Sequence, residues 1–166
     1  MTCGRSAHPG PAQHTQQFLV GPDQVRQVEL DPAIHLRVTI LLAGTGNRGV
    51  ALLPQAGGDV CQLADFGHHL ADNGYRVATF GPWSSPNERP ATAAYDALIA
   101  AGAERAVVLG ASQGATVALA NAAALSPAPA GVITLSADGD ALVGAPPIPA
   151  RCCSPGPRTT CTPRAA

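Results

Sequence analysis

The segment Gly110-Ala111-Ser112-Gln113-Gly114 sets one serine between two glycines at a spacing suited to nucleophilic chemistry. A continuous apolar run at residues 106–109 precedes it, and an alanine-rich stretch follows. The run reads as a strand buried on both faces and the stretch as a helix. A serine at such a junction takes a strained backbone conformation, and its hydroxyl is lifted clear of the sheet. Glycines two positions to either side let the strand and helix backbones pass closely. The serine also stands at a helix N-terminus, where free N–H groups and the dipole favour negative charge. Ser112 is therefore a candidate nucleophile for acyl transfer. The Gln113 N–H is a candidate donor to the oxyanion of a tetrahedral intermediate.

A serine nucleophile needs a base, most often histidine. The five histidines are His8, His14, His35, His68 and His69, and all precede Ser112. His8 and His14 fall in a leader without periodicity, and His35 opens a strand. His68 and His69 are neighbours on one helix, so they do not converge on a ligand, and both are expected on its solvated side. None of the five qualifies as the base.

A second pattern, Gly44-Thr45-Gly46-Asn47-Arg48-Gly49, matches the glycine spacing of a dinucleotide-binding turn. That chemistry requires a helix to open there, with its N-terminus facing the pyrophosphate. Val50-Ala51-Leu52-Leu53 reads instead as a strand, so the glycines are expected to serve a hairpin turn. The cysteines are Cys3, Cys61, Cys152, Cys153 and Cys161, without a Cys-x-x-Cys pair or a nearby histidine, so no metal is expected.

The elements that must hold Ser112 follow from the rest of the chain. At 166 residues it is one domain at most. The formal net charge is −1, and all ten basic residues are arginines spread along the chain, which gives no footprint for nucleic acid or an anionic membrane. No apolar run is long enough to span a bilayer, and the leader has no apolar signal core, so a cytoplasmic location is the expectation. Strands are expected at residues 25–30, 36–43, 50–53, 75–80, 106–109 and 131–135. Helices are expected at residues 60–73, 90–101 and 113–125. The first has Asp59 as its cap, Gly74 at its end, and Leu63, Phe66, Gly67 and Leu70 on the buried face. Strands alternating with helices imply a mostly parallel sheet covered on both faces.

The antiparallel start, the strand–helix alternation and the glycine-flanked serine together resemble the α/β-hydrolase superfamily over residues 25–137. The segment Leu70-Ala71-Asp72-Asn73-Gly74-Tyr75-Arg76-Val77, which joins helix to strand, adds to the likeness. So does the loop Leu52-Leu53-Pro54-Gln55-Ala56-Gly57-Gly58-Asp59, which stands where that superfamily carries a His-Gly-x turn; here Pro54-Gln55 replaces His-Gly. The resemblance implies an α/β-hydrolase-like fold, with the Ala56 N–H as second oxyanion donor. It also implies the order serine, acid, histidine, in which Asp138 is a candidate acid and the base has no counterpart. Phe80 and Trp83 stand near a strand end where they could line the cleft. The implied substrate is a small ester or other acyl compound, with no cofactor. A hydrolase-fold protein that binds a ligand without chemistry is the alternative.

Three regions are expected: a flexible leader at residues 1–24, a partial hydrolase domain at 25–150 and an atypical tail at 151–166. The tail is mostly arginine, cysteine, proline and threonine and has no apolar period. Such a composition is what GC-rich coding DNA yields out of frame, so an interrupted hydrolase, truncated after the strand that follows the serine helix, is the expectation. Val132, Ile133 and Leu135 would then lie at an open sheet edge.

Overall fold

A computed structural model describes residues 25–83 and 88–138. The expected leader and tail lie outside the described residues. Six strands form one sheet: β1 (Val25–Asp31), β2 (Leu36–Ala43), β3 (Arg48–Leu53), β4 (Tyr75–Gly81), β5 (Arg105–Ala111) and β6 (Gly131–Leu135). Their order is β1-β2-β4-β3-β5-β6. The strands β4, β3, β5 and β6 run parallel, while β2 pairs antiparallel with both β1 and β4. This is the mixed, mostly parallel sheet that the alternation of elements implies.

Three helices connect the parallel strands: α1 (Ala64–Asp72), α2 (Arg89–Ala100) and α3 (Gln113–Asn121), with a 3₁₀ turn at Ala122–Ala124 closing the last. Strand side chains alternate between faces, so the inner strands feed two cores. Ile40, Leu42, Ala51, Leu53 and Val108 face α2 and α3, where Tyr95, Leu98 and Val117 meet them. Leu41, Val50, Leu52, Val77 and Leu109 face the α1 side, with Val60 and Ala64. Helices therefore cover both faces.

Several details depart from the sequence reading. The first helix begins at Ala64 rather than at residue 60. Asp59 accepts the Cys61 N–H through Oδ1 at 2.8 Å, so it closes a local turn and caps no helix. On α1 the buried residues are Ala64 and Gly67, and Phe66 is 41% exposed. The helix lies close to the sheet because Gly67 has no side chain; a Cβ there would stand 3.5 Å from Leu52 Cδ1. That rotation carries Phe66 outward and draws His68 partly inward, with its Nε2 shielded from solvent, while His69 is exposed. His68 is thus half-buried rather than solvated.

The glycines at 44–49 form no hairpin, because β4 lies between β2 and β3. Their connection instead crosses the start of β4. A side chain on Gly46 would collide with the Gly74 carbonyl, and one on Gly44 with that of Tyr75. Arg76 secures the crossing, donating from Nε to Gly46 O at 3.0 Å and from Nη2 to Thr45 O at 2.9 Å. Phe80 and Trp83 are 0% and 2% exposed and pack edge to face with centroids 5.0 Å apart. They belong to the core and are not among the residues that line the cleft beside Ser112.

Candidate functional site

Strands β3 and β5 are adjacent and parallel, and Leu53 pairs with Gly110 at their C-terminal ends. The two turns that leave the sheet there, the Pro54–Asp59 loop and the Ser112 junction, are therefore neighbours. Ligand sites of open parallel sheets lie at this end of the strands.

At the junction β5 stops at Ala111 and α3 starts at Gln113. Ser112 between them has φ +51° and ψ −117°, a backbone region that non-glycine residues rarely adopt. The reversal is sharp enough that a side chain on Gly110 would collide with the Gly114 carbonyl. One on Gly114 would collide with the backbone of Leu53. The first turn of α3 therefore rests on the end of β3.

The amides around the turn are divided between structure and the open side. The Ser112 N–H donates to Leu135 O at 2.8 Å and ties the turn to β6. The Ser112 carbonyl accepts from Ala115 N at 2.9 Å and Thr116 N at 3.1 Å, opening the helix. The Gln113 N–H is left without an intrahelical partner, as the first amide of a helix must be. Across from it, the Gln55 N–H donates to Gln62 Oε1 at 2.8 Å, the Gly58 N–H to Gln55 O at 2.9 Å and the Gly57 N–H to Trp83 O at 3.2 Å. Of the four amides from Gln55 to Gly58, Ala56 alone donates to no described residue.

A cleft of about 420 Å³ opens beside the junction, lined by Ser112, Gln113, Thr116, Ser136, Ala137 and Asp138. Ser136 ends β6 with φ +57°, turning the chain back toward α3. The Asp138 N–H then donates to Thr116 Oγ1 at 3.1 Å, holding the far wall against the helix. The Gln113 amide Nε2 is shielded from solvent and has no hydrogen-bond partner among the described residues. The structure thus brings Ser112, Gln113 and Asp138 to one cleft and sets the Ala56 loop against the same helix turn. Thr116 and Ser136 are cleft residues that the sequence reading does not name. Thr116 has a signal, lying one helical turn beyond Ser112; Ser136 has none.

No described histidine lines the cleft. His35 lies in the β1–β2 turn with Nδ1 3.3 Å from Glu29 Oε1, and His68 and His69 belong to α1. His8 and His14 lie outside the described residues. Among the described residues no three His, Cys, Asp or Glu side chains gather as metal ligands, and no helix is long and apolar enough to cross a membrane. Cys61, just beyond the Pro54–Asp59 loop, is disulfide-bonded.

No protein-family model matches the sequence, and no curated protein does. Solved structures do match. A soluble variant of monoglyceride lipase from Saccharomyces cerevisiae is similar with a TM-score of 0.54 and 16% identity, over 76% of this chain and 47% of that one. A probable hydrolytic enzyme from Pseudomonas aeruginosa has a TM-score of 0.54 and 18% identity, over 69% and 42%. Epoxide hydrolase A from Mycobacterium thermoresistibile has a TM-score of 0.52 and 24% identity, over 66% and 38%. The chain spans less than half the length of each of these structures. The strand order, the crossover helices and these similarities agree: the chain has the α/β-hydrolase fold.

Proposed function

We propose that this chain carries the nucleophile and oxyanion-binding half of a serine hydrolase acting on an ester or other acyl bond. The backbone of Ser112, at φ +51° between the collision-limited glycines 110 and 114, is the observation that carries this reading. A plain strand–helix connection has no need of such strain, and strained residues concentrate where chemistry is done. Attack by Ser112 Oγ would form a bond to the acyl carbon and move the carbonyl electron pair onto oxygen. The N–H groups of Gln113 and Ala56, which donate to no described residue, would receive that oxyanion, and its collapse would expel the alcohol. Asp138 is the candidate acid, facing the same cleft. The serine proton needs a base, which we assign to a histidine outside this chain. Without it Ser112 remains a poor nucleophile, and only residual catalysis from the oxyanion hole and binding is expected.

The absence of a described histidine from the cleft favours a second reading, a hydrolase-fold protein that binds an acyl ligand without turning it over. A fluorophosphonate probe on the purified chain, with imidazole added at high concentration as an external base, separates the two. Stoichiometric labelling that disappears in Ser112→Ala supports the hydrolase. A folded sample that takes up no label supports the binding protein.

A further inference from the structure

The geometry points to Gln62 as the positioning residue of the oxyanion loop, a role that rests on the reading of Ser112 and Ala56 given above. Two consecutive peptide groups set the direction of the Ala56 N–H. The first joins Pro54 to Gln55, and its N–H donates to Gln62 Oε1 at 2.8 Å. The second joins Gln55 to Ala56, and its carbonyl accepts the Gly58 N–H at 2.9 Å. The Ala56 N–H is the other end of that second peptide. With both planes held, this amide has one direction. Release of the first plane leaves the Ala56 N–H held by the Gly58 contact alone, which widens its range of directions.

Among the described residues no other contact of the loop replaces that of Gln62. Pro54 has no N–H of its own. The Gly57 N–H and Gly58 carbonyl are already paired with Trp83, at 3.2 Å each, and these contacts anchor the far side of the turn. Gly58 leaves the space that Gln62 Oε1 occupies, since a Cβ there would collide with that oxygen. Gln62 is held from below as well, its own N–H donating to Asp59 O at 3.2 Å. Its side chain is exposed, so the position contributes little to the core and can be altered without emptying it. Preorganised donors act because they need not reorganise as charge develops, and small misplacements cost rate steeply.

The test is the second-order rate of Ser112 labelling by a neutral fluorophosphonate, with imidazole supplied as external base, measured beside thermal melting for the wild-type chain, Gln62→Met and Gln62→Glu. Gln62→Met keeps the length and removes the acceptor; it is expected to label about tenfold to a hundredfold more slowly with an unchanged melting temperature. Gln62→Glu keeps an acceptor oxygen and is expected to restore most of the rate. A labelled wild type with Gln62→Met labelling equally fast overturns the role of Gln62 and leaves Ser112 standing. Equal losses in Gln62→Met and Gln62→Glu overturn it too, because the acceptor is then irrelevant. A wild type that takes no label overturns the reading of Ser112 and this inference with it.

Discussion

Gly110 approaches the Gly114 carbonyl so closely across the Ser112 turn that it tolerates no side chain: a Cβ on Gly110 would meet that oxygen, backbone against backbone. No rotamer change relieves such a contact. Gly110→Ala is therefore expected to cost about 3 kcal/mol, or to prevent folding. Gly67 is the contrast. Its Cβ would meet Leu52 Cδ1 at 3.5 Å and Val77 Cγ1 at 3.6 Å, ordinary contact, inside a helix. Gly67→Ala should stabilise by about 0.5–1 kcal/mol through helix propensity. Urea unfolding of both variants checks the pair, and a Gly110→Ala chain as stable as wild type would contradict the close approach.

Ser112 sits in a backbone region that glycine enters without penalty. Ser112→Gly is expected to raise stability by about 1 kcal/mol while abolishing fluorophosphonate labelling. Ser112→Ala, which keeps a Cβ, should abolish labelling with no such gain. Equal unfolding midpoints for the two variants would mean that the turn stores no strain.

What is legible in the sequence is what depends on neighbours along the chain. The continuous runs ending at Leu53 and Leu109 are strands, and the glycine pair around Ser112 marks the tight turn, because both signals are local. The start of α1 is not legible, since Asp59 followed by an apolar period suits a helix cap and a simple turn equally well. The face of α1 is displaced because Gly67, read as one apolar position among four, is the point at which the helix touches the sheet. The pairing of β2 with β4 rather than β3 depends on a strand more than thirty residues further on, which no local pattern encodes. Half of the cleft is hidden for the same reason. Ser136 and Asp138 reach Thr116 only after β6 has docked beside β5. Gln62 reaches Gln55 across seven residues of irregular loop, which has no period to read.

Tyr95 gives the fold a dependence on alkaline pH. Its ring is fully buried and its hydroxyl donates to Pro127 O at 2.8 Å. Desolvation, with a smaller contribution from the Asp96 charge, raises its pKa above the usual 10.0. The folded chain therefore keeps the phenol proton at a pH where the unfolded chain has released it. Stability from this group is complete below about pH 10 and falls as the pH rises through the raised value. Tyr95→Phe should cost about 1 kcal/mol at neutral pH through the lost hydrogen bond. The gap between the two proteins should then narrow above about pH 10. Denaturant midpoints from pH 8 to 11 test this, and a constant gap across the range would refute it.

Strand β6 pairs with β5 on one side and, among the described residues, with no strand on the other. Its alternation sends Val132 toward Val108 and the α2–α3 core. Ile133 and Leu135 point to the opposite face, where they are 46% and 53% exposed. Leu109 and Ala111 stand beside them in register, so the apolar strip continues onto β5. An apolar edge strand with free backbone groups is a template for further pairing. The chain taken by itself is expected to associate with rising concentration, and Ile133→Lys to reduce that association by placing a charge on the strip. Because Ile133 is already half exposed, the melting temperature should change little. Light scattering over a concentration series, read with the melting curve, decides the matter: a wild type that stays monomeric, or a Lys variant that associates just as strongly, would show that the β6 edge is not the contact surface.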